Sequence, residues 1–141
     1  MCQTRKLFVT LGIFLVCYWG TTSAAEWAEV IRAEDFIGYV DLSSIRSEEG
    51  GAVIAWKMND YFSPQAFMGH AGVRSDRMLV EFQCNEKRHR GRKIILYDQQ
   101  TGGGNILAAS EITIGWQNIV AQSEGEYNLT FVCNYVKKNK K

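Results

Sequence analysis

The stretch from Ser75 to Ile95 limits most tightly what this chain can become. Met78, Val80, Phe82 and Cys84 fall at every second position with Leu79, Glu81 and Gln83 between them, the period of a strand that buries one face. A basic run then follows, Lys87, Arg88, His89, Arg90, Gly91, Arg92 and Lys93, after which Ile94, Ile95, Leu96 and Tyr97 form a second apolar segment. The spacing predicts a β-hairpin with a cationic tip, whose first strand ends in a cysteine.

The partner of that cysteine follows from the compartment. Arg5 and Lys6 precede an apolar run from Leu7 to Gly20, and Thr22, Ser23, Ala24 and Ala25 supply small residues after it. Residues 1–25 therefore read as a secretory signal cleaved after Ala25. An apolar run of about 14 residues falls short of the roughly 20 that a helix needs to cross a bilayer, so no transmembrane anchor is expected. Cys17 follows Phe14, Leu15 and Val16 and lacks the residues of a lipid-attachment site.

Cleavage would remove Cys2 and Cys17 and leave Cys84 and Cys133 alone in an oxidising compartment, where a disulfide between them is expected. No Cys-x-x-Cys spacing suggests a redox pair. Closing the loop from Cys84 to Cys133 would contribute about 4 kcal/mol on a chain-entropy argument. The mature chain would also lose two of the 16 basic residues and none of the 15 acidic ones, for a net charge of −1. Nothing in that balance attracts nucleic acid.

Residues 26–141 are expected to form one domain. Trp27 to Ile31 and Phe36 to Val40 read as the first two strands, and Ala52 to Tyr61, after the Gly50-Gly51 turn, as a long third. The hairpin supplies the next two, and Ile106 to Ile112, beyond a Gly102-Gly103-Gly104 turn, the sixth. Ser123 and Glu126 match a capping box, and Leu129, Val132, Cys133 and Val136 then share one helical face. The fold class is α+β: an antiparallel sheet of about six strands, with a C-terminal helix pinned to one face by the disulfide. Asn128-Leu129-Thr130 has the pattern of a glycosylation sequon, but on this helix the match reads as chance.

Two sets of residues are candidates for binding. Lys87, Arg88, His89, Arg90, Arg92 and Lys93 would attract a polyanion or an acidic protein, or else form a solvated turn that keeps strand edges apart. Tyr61, Phe62 and Phe67 flank Ser63 to Gly72, which reads as a loop because it holds Pro64, Gly69 and Gly72. These aromatics would make a binding lip, with His70 nearby, or cap the open end of the sheet. Only two histidines exist, and no Ser-His-Asp set, paired carboxylates or metal-ligand spacing stands out. No catalytic residue, metal or cofactor is therefore expected.

Read in order, Trp27, Tyr39-Val40-Asp41, Ser44-Ile45-Arg46, Val73-Arg74-Ser75, Glu81-Phe82-Gln83-Cys84, Arg88-His89-Arg90, Tyr97 with the glycine turn, Trp116 and Val132-Cys133 resemble the surface-adhesin protein E family. The resemblance spans nearly the whole chain after residue 25. It implies a small antiparallel sheet with a disulfide-held C-terminal helix. It also implies a secreted or outer-surface binding protein of Gram-negative bacteria that engages host extracellular-matrix proteins and can form homodimers. The alternative is a soluble periplasmic protein with a structural or envelope-assembly role.

Overall fold

A computed structural model describes residues 24–140. The expected signal segment up to residue 23, with Cys2 and Cys17, lies outside the described residues. The chain forms β1 (Trp27–Arg32), β2 (Phe36–Asp41), β3 (Arg46–Ser47), β4 (Val53–Phe67), β5 (His70–Gln83), β6 (Arg88–Tyr97), β7 (Ile106–Glu111), β8 (Gln117–Asn118) and α1 (Glu124–Asn139). The strands make one antiparallel sheet in the order β1-β2-β4-β5-β6-β7, with β3 added to β4 and β8 to β6. The six strands of the main path and the C-terminal helix are those expected. The two short strands β3 and β8 are additions.

The helix forms where its signals stand. Ser123 is the N-cap and its hydroxyl accepts from the Glu126 N–H at 3.3 Å, while the Glu126 carboxylate accepts from the Gln122 N–H at 2.7 Å, one residue before the position expected of a capping box. Leu129, Val132 and Cys133 face the sheet and pack with Val40, Val53, Ala55, Val80 and Phe82. This main core lies between α1 and the middle of the sheet. A smaller one, Val73, Ile94 and Leu96 with Leu107 and Ile112, continues towards β7. Cys84 and Cys133 are bonded with their Cα atoms 5.9 Å apart, so that α1 is held to the end of β5. On the opposite face Arg77 lies over the rings of Trp27 and Tyr97, 5.4 and 5.3 Å from their centroids.

Two sequence expectations are corrected. Ser63 to Gly72 is not a loop: β4 and β5 run on through it, 15 and 14 residues long, and turn tightly at Met68-Gly69, where both residues have positive φ (50° and 78°). Beyond Tyr61, β4 has no partner in β2, so Pro64 removes no ladder hydrogen bond there. Neither is the basic run a turn. The chain reverses over residues 84–87, and Arg88 to Tyr97 pairs along β5 from Gln83↔Arg88 to Ser75↔Tyr97. Charge does not exclude a strand when the neighbouring strand answers it. Gln83 accepts from Arg88 at 3.0 Å, and Glu81 accepts from both Arg90 and Arg92 at 2.9 Å.

Candidate functional site

Because β4 and β5 outrun their neighbours, residues 62–72 project from the sheet as a two-stranded arm. Phe67 and Met68 stand at its tip, exposed to 37% and 56%, and Phe62 stands at its root, exposed to 47%. Apart from His70, which opens β5, the arm from Phe62 to Gly72 holds no ionisable side chain. Tyr61 sits at its root and faces inward. Its hydroxyl donates to Asp76 at 2.6 Å and its ring lies 6.2 Å from that of Phe36. Burial, then the adjacent Asp76, pushes the Tyr61 phenol far above its ordinary range, and burial likewise raises the Asp76 carboxyl. The arm thus exposes Phe62 at its root and Phe67 at its tip, adds Met68, which the sequence reading had missed, and leaves Tyr61 in the fold. A signal for Met68 was present in its place between Phe67 and Gly69, at the apex of a turn.

The basic residues are divided between the faces of β6. Arg90 and Arg92 converge on Glu81, whose side chain is only 12% exposed, and Arg90 also stacks over Trp116 at 4.3 Å. Burial opposes ionisation of Glu81, but the two guanidiniums outweigh it and hold the carboxyl below its usual range. Lys93 reaches Glu111 at 3.6 Å. Lys87, in the turn, is exposed and forms no ion pair among the described residues. His89 points the other way, under α1, with its ring 6.4 Å from that of Phe82. Much of the expected cationic tip is therefore spent within the sheet.

A third feature was not legible in the sequence. Between the first turn of α1 and the sheet lies a cleft of about 270 Å³ floored by Met78, Val80 and Phe82. Lys57 and Glu124 form an ion pair at its polar end, and the Asn59 and Asn128 amides donate to Glu124 as well. Burial, then the charge of Lys57, lowers the pKa of His89 beside them, against a smaller opposite pull from Glu124. Asn128 is 3% exposed, which takes the sequon match out of reach of a glycan. Among the described residues no cluster of three metal-ligating side chains occurs, and no helix is long and apolar enough to cross a membrane.

Comparison with known proteins adds the following. A family model described as surface-adhesin protein E matches residues 27–134. The fold is similar to the structure of Haemophilus influenzae protein E, with a TM-score of 0.58 and 14% identity, covering 84% of this chain and 92% of that one. A second crystal form of that protein gives a TM-score of 0.54 and 13% identity, covering 81% and 99%. Protein E from non-typeable Haemophilus influenzae gives 0.56 and 13%, covering 84% and 82%. No curated protein matches the chain.

Proposed function

From the premise that the chain belongs to the surface-adhesin protein E family, we propose that it is a non-enzymatic binding module of the Gram-negative cell envelope, exported by removal of residues 1–25, whose arm engages a host extracellular-matrix protein. The observation that supports this reading is the arm itself. Three large apolar side chains stand exposed on a ribbon that packs against no neighbouring strand, where a folded chain gains nothing from them alone. Aromatic residues placed in this way are the usual anchors of protein contacts. The basic strand supports a weaker role, since Arg90, Arg92 and Lys93 already have acidic partners.

The test measures binding to immobilised matrix proteins for the wild type, for a Phe62→Ser/Phe67→Ser/Met68→Ser variant, and for Lys87→Ser. The arm variant is expected to lose binding with an unchanged melting temperature, and Lys87→Ser to keep it. Wild-type binding should persist at about 0.5 M salt, where the Debye length has fallen to roughly 4 Å. Full binding by the arm variant rejects the arm as the contact. Cell fractionation bears on the location: protein confined to the periplasm would favour the envelope-assembly role over adhesion.

A further inference from the structure

We propose that the cleft between the first turn of α1 and the sheet is a binding site for a small uncharged molecule, an apolar ring system bearing one hydroxyl or ring N–H. Its size sets the class. At about 270 Å³ it lies just below the roughly 300–1,000 Å³ of pockets that take drug-sized ligands, so one or two fused rings are the natural occupant.

The space is maintained by two residues without side chains. A Cβ on Gly91 would stand 2.8 Å from Ile112 Cδ1, and one on Gly125 would stand 3.1 Å from His89 Cε1. Met78, Val80 and Phe82 make the floor apolar, and Ile114, among the most exposed large aliphatics of the described chain, stands at the mouth. An apolar ring entering there would cover both.

The polar end selects against charge. Lys57 and Glu124 neutralise each other, so an anion would meet the Glu124 carboxylate and a cation the Lys57 ammonium. What remains unpaired is one acceptor, on Asn128, which lines the cleft. Asn128 spends its Nδ2 on Glu124, and its buried Oδ1 has no hydrogen-bond partner. Buried acceptors left this way are uncommon in folded proteins, and a small rotation of the Asn128 side chain would present it to a ligand hydroxyl or ring N–H. Burial disfavours a charge on the neighbouring His89 ring, in keeping with the apolar character of the wall.

Indole, 1-methylindole and indole-3-acetate are the probes, titrated by calorimetry into the protein purified as the cell delivers it. Indole is expected to bind saturably. The methylated compound, which lacks the donor, and the acid, which carries a charge, should each bind about tenfold more weakly, equivalent to about 1.4 kcal/mol. Gly125→Leu places a side chain in the cleft from a helical position and should weaken indole about tenfold. Asn128→Leu should remove the difference between indole and 1-methylindole. The proposal is overturned if indole shows no saturable heat, if the acid binds as well as indole, or if Gly125→Leu melts normally and binds indole unchanged. The comparison of the three probes on the wild type decides the matter even if a variant fails to fold.

Discussion

The same two strands behave in opposite ways along their length. From Val53 to Tyr61, β4 has β5 on one side and first β3, then β2 on the other, its side chains Val53 and Ala55 are buried under α1, and the Cys84–Cys133 bond closes the assembly. From Phe62 onward, β4 has only β5 beside it, the register becomes irregular, and the large apolar residues face outward. Hydrophobicity is similar in the two halves; what differs is whether the chain itself supplies a cover. The covered half makes the fold. The free half is left uncovered by the described chain.

Four measurements would break or sharpen that contrast. The largest effect is expected from Cys133→Ala, which should lower the unfolding free energy by about 2–5 kcal/mol in urea titration. A small change there would mean that packing of α1 alone covers the sheet. Arg90→Ser comes next, at about 1–3 kcal/mol, because it leaves the mostly buried Glu81 with Arg92 as its remaining partner. Were Arg90→Ser as silent as Lys87→Ser, the basic strand would belong with the free half after all.

A smaller effect depends on pH. His89, under α1, has a folded pKa below its ordinary 6.5, chiefly through burial. Between those two values the unfolded chain holds more protons than the folded one, so stability should fall as pH drops below about 6.5 and level off below the folded pKa. Denaturation curves at pH 7.5 and 5 should show this loss in the wild type and less of it in His89→Gln. Smallest of all, Phe62→Ser and Phe67→Ser should each change stability by no more than about 0.5 kcal/mol. A larger loss would show the arm to be part of the core.

The parts of this fold that could be read from sequence are those where local chemistry and tertiary role agree. Alternation across Met78, Val80 and Phe82 marked β5, and Ser123 with the Leu129–Val136 stripe marked α1 and its buried face. Elsewhere the two diverge. Pro64, Gly69 and Gly72 resemble loop punctuation, yet strands without flanking neighbours tolerate them. The charges of Arg88, Arg90 and Arg92 look like a solvated turn until Gln83 and Glu81 are placed across from them. The cleft was hidden for another reason: Gly91 is far in sequence from Gly125 and Asn128, and the motifs those two fall in, a capping box and a sequon pattern, say nothing of a cleft. Gly91, isolated inside what proved to be a strand, was the one available hint, since such a glycine often marks a bulge or a close approach, and the ladder does shift register beside it.

Pro64 carries a consequence for how the protein can change over generations. It stands two residues beyond Phe62, whose N–H still donates to the Asp35 carbonyl at 3.0 Å, and it removes the next donor along that edge. A strand added along that edge would lack a ladder hydrogen bond at Pro64, which shifts recognition there towards side chains. Side chains on an unsupported ribbon answer to almost no folding constraint. On the proposed reading, substitutions at Phe62, Phe67 and Met68 would be visible to selection mainly through the partner, and one stable scaffold could change partners by rewriting a few codons in the arm.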